Sequence, residues 1–326
     1  MKIACVVGAR PNFMKIAPLL EAMKDYPSLN PLLVHTGQHY DYEMSQVFFD
    51  ELEIPKPDVY LNVGSGSHAV QTAKIMISFE ESVNQHKPDA ILVVGDVNST
   101  LACALVGAKL CIPVIHVEAG IRSFDRTMPE EINRVMTDVI ADMLFTPTED
   151  ANKNLEKEGI AKEKIFLVGD VMIDTLMKYK SKAESNGILN EMGLEKKSYV
   201  LMTLHRPFNV DIKDNLIAIL EALNEIQKYI KIVLAVHPRT RSRIEAFGLQ
   251  EKVSQMKNLI ITDPLGYLKF MSLMINAKFV LTDSGGMQTE TTVLNIPCLT
   301  MRENTERPET IREGTNTLVG NNTQLI

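Results

Sequence analysis

Short apolar runs alternate along this chain with longer stretches of helical periodicity. The first series is IACVV (3–7), PLLVHT (31–36), AILVVG (90–95), PVIHVE (113–118), DMLFTP (142–147) and KIFLVG (164–169). The second is SYVLMTL (198–204), KIVLAV (231–236), LIITD (259–263), KFVLTD (278–283) and PCLTM (297–301). Runs that are apolar throughout, without period-2 alternation, predict strands buried on both faces, and helices between them predict parallel sheets. The class is therefore α/β, with two doubly wound, Rossmann-like domains. The polar tract KYKSKAESNGILNEMGLEKK (178–197) separates the two series, and the boundary is placed near residue 170, giving domains 1–170 and 171–326. Ligands of open parallel sheets sit beyond the carboxyl ends of the strands, and two such sheets facing one another would bound a shared cleft. Candidate site residues are accordingly sought just after each strand.

Composition narrows the function classes. A chain of 326 residues exceeds an ordinary single domain. Its formal net charge is −7, and no basic run is interleaved with aromatics, so nucleic acid is not an expected partner. The four cysteines (Cys5, Cys103, Cys111, Cys298) form no CxxC pair and lie in apolar segments, which predicts buried reduced thiols. No apolar stretch approaches a membrane span, and the apolar run at the N-terminus is too short for a signal sequence, so a soluble cytoplasmic protein is expected. No His, Cys and acid spacing suits a metal, Ser284 lacks a GxSxG elbow, and there is no Walker A or GxGxxG sequence.

The strand ends carry the candidate chemistry. FVLTDSGGMQTE (279–290) reads as a strand, a turn at Ser284-Gly285-Gly286 and a helix from Met287, so backbone N–H groups collect where an anion can bind. Glu290 one turn on is placed for two vicinal hydroxyls, and Arg307 in RENTERPET (302–310) for a phosphate; together they describe a holder for a nucleotide diphosphate. In GARPNFMK (8–15), Gly8 permits a turn, Pro11 suits a helix start, and Arg10 and Lys15 bring cations that favour an anionic ligand. Pro18 falls inside the following helix and is expected to kink it. Asp96, Glu118 and Glu130 follow successive strands. Each has a plain structural alternative: Asp96 as the cap of a helix from Asn98, Glu130 and Glu131 as first-turn acids. Acids crowded near a diphosphate would have raised pKa values suited to proton transfer. His205-Arg206 and His237-Pro238-Arg239 end strands of the second series, where a histidine can donate to phosphate.

GARPNFMKIAPL, HTGQHYD (35–41), VVGDVNST (93–100), HVEAGIRS (116–123), PEEINR (129–134), TLHR (203–206), HPRT (237–240), TDSGGMQTE (282–290), TERPE (305–309) and GTNTLVG (314–320) together resemble the non-hydrolysing UDP-N-acetylglucosamine 2-epimerases, from Met1 to Gly320 and in the family's order. The resemblance implies a GT-B architecture, usually a homodimer, with UDP-GlcNAc, UDP-ManNAc and UDP as ligands and no cofactor or metal. It implies that Ser284, Gly285 and Gly286 bind the diphosphate, Glu290 the ribose, Arg307 and Arg10 the phosphates, and that Phe270 lies near the uracil. Asp96, Glu118, Glu130 and His205 fall on catalytic positions, and Lys15 on one near substrate. Gln38, His39 and His237 match positions where bacterial relatives bind a second substrate molecule as activator. The implied chemistry is loss of the C2 proton and of UDP from C1, giving 2-acetamidoglucal, then re-addition from the other face.

The chain departs from the family pattern in places. Pro207-Phe208-Asn209 stands where relatives commonly carry a basic residue and then Glu-Asn, which removes polar groups from that loop and puts activation by substrate in doubt. Thr289 replaces an acid of the family's Gln-Glu-Glu run, while Glu290 remains. Family members generally continue past GTNTLVG into helices that pack back across the first domain, so a sequence ending at Ile326 is either shortened or without that strap, whose loss is expected to lower stability and loosen domain closure.

Overall fold

The computed structural model describes residues 1–37 and 49–326, with the backbone alone of Arg10. The described chain divides into two compact units, Met1–Thr175 and Leu176–Ile326. In the first, β1 (Lys2–Val7), β2 (Asn30–His35), β3 (Val59–Tyr60), β4 (Ala90–Val94), β5 (Val114–Val117), β6 (Met143–Thr146) and β7 (Ile165–Leu167) form one parallel sheet in the order β3-β2-β1-β4-β5-β6-β7. In the second, β8 (Tyr199–Met202), β9 (Lys231–Ala235), β10 (Leu259–Thr262), β11 (Phe279–Thr282), β12 (Cys298–Thr300) and β13 (Asn316–Leu318) are ordered β10-β9-β8-β11-β12-β13, again all parallel. Each order reverses beside its first strand, the doubly wound pattern that leaves a crevice at the carboxyl ends there. The expected fold class is present in both halves.

Every residue of β4, β5 and β8 is buried, which is why those runs carry no polar alternation. Helix His68–His86 is closed by the Ser67 side chain, which accepts the Val70 N–H, and by Lys87 in a left-handed conformation. It packs Ile75 and Phe79 into a core with Val6, Ile91, Val93 and Leu144. Helix Asn98–Lys109 is built from small buried residues, and a Cβ on Gly107 would stand 2.8 Å from Val114 and 2.9 Å from Ile91. That close approach seats the last turn of the helix against the beginnings of β4 and β5. In the second unit Leu216, Ile219, Leu220 and Leu223 of helix Lys213–Ile226 cover Val200, Ile232, Leu234 and Leu281.

Two strands, β3 and β13, have no counterpart in the apolar runs. Both are edge strands; β3 is only two residues long and β13 (Asn-Thr-Leu) is mostly polar. Pro18 does lie inside helix Arg10–Met23. Cys5, Cys103 and Cys298 are buried free thiols, as expected, and burial together with Asp58 pushes the Cys5 thiol up to about 12. Cys111 differs: it is exposed, in a left-handed turn (φ 56°) after helix Asn98–Lys109, because the apolar segment there reverses direction before β5. Among the described residues no helix is long and apolar enough to cross a membrane.

Candidate active site

At the carboxyl ends of β1, β4 and β5, polar side chains reach across strands. Asn12, 2% exposed, accepts the Gly8 and Ala9 N–H groups at 3.0 and 3.1 Å and donates to the Val94 carbonyl at 3.1 Å. It thereby fixes the first loop to the end of β4. Lys15, one turn further along helix Arg10–Met23, reaches the end of β5 and pairs with Glu118, both side chains being 8% exposed. Glu118 has φ 72°, a left-handed conformation that a residue with a Cβ adopts only at a cost of about 1–3 kcal/mol. Its N–H and that of Ala119 both donate to the Phe145 carbonyl at 3.0 Å. The backbone is thus turned so that the side chain meets Lys15.

Gly95 sits between these groups. Its φ is +69°, and a Cβ there would lie 2.7 Å from the Lys15 Nζ and 3.3 Å from the Glu118 carboxylate. Gly95→Ala is expected to lower stability by about 1–2 kcal/mol from the left-handed backbone alone, and to push Lys15 off Glu118. A shift of the urea midpoint of that size checks the first part. An unchanged midpoint would show that the loop has another conformation.

Asp96 does not cap helix Asn98–Lys109, whose N-cap is Val97 without a side-chain bond. Arg134 holds its carboxylate instead, Nε and Nη2 lying 3.0 and 2.9 Å from Oδ2, while Asn133 donates to the Asp96 carbonyl at 2.9 Å. Both come from helix Pro129–Ile140, in whose first turn Glu130 and Glu131 stand. The two acids have separate surroundings. Glu131 is buried and clamps the preceding loop, accepting Ser123 N–H and hydroxyl at 3.0 Å and Phe124 N–H at 2.9 Å; Glu130 is half-buried on the first turn. Glu118 meets Lys15, while Asp96 and Glu131 share Arg134, which is 2.9 Å from Asp96 and 2.5 Å from Glu131. The side chain of Arg10 lies outside the described part of the structure, as do Gln38 and His39.

In the second unit, helix Gly285–Val293 starts at Gly285 with Ser284 at the N-cap, two residues earlier than the sequence pattern places it. Met287 and Gln288 are buried inside its first turn, which disguises the start as a loop running into an apolar helix. The Ser284 hydroxyl does not close the cap. A Cβ on Gly285 would collide with the Glu306 carboxylate, which packs against the helix start and pairs with Arg302 at 2.7 Å. A Cβ at 285 would therefore have to move the Glu306 carboxylate, whatever ligand is present. Gly285→Ala is expected to displace Glu306 and the 302–307 loop with it. A lowered urea midpoint checks this, and an unchanged one would show that the Glu306 side chain can turn aside without disturbing the loop.

That loop is tied down from below. Gln288 Oε1 accepts the Thr305 hydroxyl at 2.5 Å and Asn316 Nδ2 at 2.9 Å, and Thr305 Oγ1 accepts the Arg307 N–H at 3.0 Å. Arg307 is 4% exposed and Glu290 5%, so both charges are seated in the body of the unit. Tyr267 opens helix Tyr267–Asn276 close enough to Glu290 to feel its charge, and Phe270 stands one turn further, half-buried.

His205 follows β8, and Asp283 follows the adjacent β11. Asp283 is fully buried and accepts the His205 N–H at 2.9 Å, the Arg206 N–H at 2.7 Å and the Asn209 amide at 3.3 Å, while its other oxygen meets His205 Nδ1 at 2.9 Å. Burial raises its pKa, but the His205 ring and the backbone donors outweigh that and hold it at about 2. His237, exposed at the N-cap of helix Pro238–Ala246, brings its ring centroid within 5.6 Å of that of His205. Asn209 is 1% exposed and also donates to the Met301 carbonyl at 2.9 Å, so the Pro207-Phe208-Asn209 departure keeps its buried anchor while Phe208 is exposed. Asp283, Asn209, Asn12 and Glu306 are polar anchors that the apolar pattern does not single out. The signal for Asp283 was present: an acid directly after a buried strand and directly before Ser-Gly-Gly. Among the described residues no group of three or more His, Cys, Asp or Glu is arranged to hold a metal ion.

Two doubly wound units with ionic side chains gathered beyond the carboxyl ends of their strands define an α/β protein of the Rossmann-like class. A family model for UDP-N-acetylglucosamine 2-epimerase matches residues 21–326. The UDP-N-acetylglucosamine 2-epimerase homolog of Methanococcus maripaludis is 51% identical over 328 residues, covering 100% of this chain and 90% of the relative. A UDP-2,3-diacetamido-2,3-dideoxy-D-glucuronate 2-epimerase of Pseudomonas aeruginosa is 44% identical over 324 residues, covering 98% and 88%. The crystal structure of the Methanocaldococcus jannaschii UDP-GlcNAc 2-epimerase in complex with UDP-GlcNAc and UDP superposes with a TM-score of 0.94 at 45% identity, covering 100% and 90%. The chain belongs to the UDP-N-acetylglucosamine 2-epimerase family. Membership makes it an enzyme of the isomerase type, and the family expected from the motifs is borne out.

Proposed function

We propose that this chain interconverts UDP-N-acetylglucosamine and UDP-N-acetylmannosamine without releasing the free sugar. The observation that carries the reading is the pair of strand-end carboxylates, Glu118 and Asp96, each met by a cation from another element. A base takes the C2 proton while the bond from C1 to the UDP oxygen breaks, giving a C1–C2 double bond, 2-acetamidoglucal and UDP. The UDP oxygen then re-attacks C1, and a proton is delivered to C2 on the opposite face. The C2 proton has no adjacent carbonyl to acidify it, so most of the barrier is lowered by stabilising the leaving diphosphate. Ser284, Gly285, Gly286, Arg307, Arg10 and His205 are assigned to that task, with Glu290 on the ribose and Phe270 at the uracil. Asp96, Glu118 and Glu130 share the proton transfers, and Lys15 orients Glu118.

Incubation with UDP-N-acetylglucosamine in deuterated water, followed by proton NMR, tests this. Deuterium at C2 of an intact UDP-sugar is the expected result. Free N-acetylmannosamine would instead establish hydrolysis, epimerised product that keeps its C2 protium would eliminate the mechanism, and binding without exchange would make the chain a UDP-sugar binder. The same experiment with the diacetamido-glucuronate sugar, the substrate class in the name of the 44% identical relative, decides which sugar is preferred.

A further inference from the structure

We propose that His116 is a positioning residue: carried as a doubly protonated ring between Gly95 and Asp138, it sets the spacing of the loops that bear Asp96 and Glu118. The inference rests on the assignment of those two acids to the chemistry. His116 lies in β5, fully buried, two residues before Glu118. Its Nε2 is 2.8 Å from the Gly95 carbonyl, and its Nδ1 is 2.6 Å from Asp138 Oδ1. A carbonyl oxygen only accepts, and so does an ionised carboxylate, so both ring nitrogens must donate. Asp138 is ionised: burial pushes its pKa up, but His116 and Arg122 outweigh that and hold it below the usual carboxylate range.

The other oxygen of Asp138 extends the brace. It accepts the Gly120 N–H at 3.0 Å and pairs with Arg122 at 2.7 Å, and Arg122 in turn forks onto Glu158 through Nε and Nη2 at 2.8 and 2.7 Å. Two cations face two anions, which removes the cost of an unbalanced buried charge. The geometric result is specific to the acids. Gly95 immediately precedes Asp96 and Gly120 follows Glu118 by two residues, and all three of Gly95, Glu118 and Gly120 are left-handed. Asp138 belongs to helix Pro129–Ile140, which also supplies Arg134 to Asp96 and carries Glu130. One buried network thus ties the three acid-bearing segments together, and no member of it need touch substrate.

A neutral ring could make only one of the two donations, so removing the second proton would release either Gly95 or Asp138. The test has a spectroscopic arm and a kinetic arm. In the unmodified protein labelled with 15N, both ring nitrogens of His116, assigned by their loss in His116→Gln, are expected to be protonated at neutral pH. A bare ring nitrogen overturns the proposal. In His116→Gln and Asp138→Asn, C2 exchange per UDP-binding site is expected to fall roughly 10²-fold, the effect of a misplacement near 1 Å, with UDP affinity retained. A purely structural role would lower exchange and UDP-binding capacity in the same proportion, and that result also overturns it. If the unmodified protein shows no C2 exchange at all, the proposed reaction fails, while the ring-nitrogen measurement still decides the protonation of His116.

Discussion

Glu118→Gln is expected to abolish C2 exchange while UDP binds as before. The substitution keeps the shape of the side chain and removes its charge and its basicity. Loss of a general acid or base costs roughly 10²–10⁴ in rate, which would take exchange below detection against the unmodified enzyme. Lys15 complicates the reading, because the change leaves its ammonium nearly buried and without the anion it pairs with. Breaking such a pair destabilises by about 3–5 kcal/mol when both groups are fully buried, so with part of each side chain still reached by water a smaller loss is expected. Lys15→Met and the double variant separate the two effects. If Lys15 acts only through Glu118, the double variant is no slower than Glu118→Gln alone. UDP affinity is the control, since the residues assigned to the nucleotide apart from Arg10 all belong to Leu176–Ile326. A large loss of UDP binding in Glu118→Gln would make Glu118 a structural residue.

The strands that position these groups were legible because burial on both faces removes polar residues from them, and β4, β5 and β8 are the plainest cases. Edge strands β3 and β13 were not: β3 is two residues long, and β13 has one apolar residue in three, unlike the equally short β7 and β12. The acids were legible as residues following strands, but their partners were not. Lys15 reads in sequence as a cation for a ligand anion, whereas folding places it on a carboxylate 103 residues away. That pairing depends on β1 and β5 both flanking β4, a fact of strand order that no local window contains. His116 is hidden for the same reason: inside an apolar run it looks like one polar residue in a strand, and only the neighbouring loop and helix supply its two acceptors. Arg134 and Glu131, by contrast, share one helix turn, and their pairing follows from the i, i+3 spacing alone.

Asp283→Asn should produce the largest change in stability and in its pH dependence. The Asp283 carboxylate, itself fully buried, is acceptor to two backbone N–H groups, one amide and the half-buried His205 ring. An asparagine amide turns two donors toward that set and can satisfy only part of it, while His205 loses the anion that orients it. Breaking a pair buried on both sides costs about 3–5 kcal/mol, and with the His205 side chain still reached by water the loss here is expected below that range. The sign of the pH effect follows from the pKa of about 2 in the folded protein, below the roughly 3.9 of an unfolded chain. Between those values the unfolded chain binds the extra proton. The contribution of Asp283 is therefore complete above about pH 4 and is lost as pH falls through 2. Urea unfolding of the unmodified protein should show stability falling with pH in that window, and the variant, already destabilised at pH 7, should show a shallower slope there. His205 in the variant should also hold the diphosphate less well, so UDP affinity drops, unlike in Glu118→Gln. Equal urea midpoints for variant and unmodified protein at pH 7 would mean that the Asp283 cluster does not fasten the end of β8 to β11, and the placement of His205 would need another explanation.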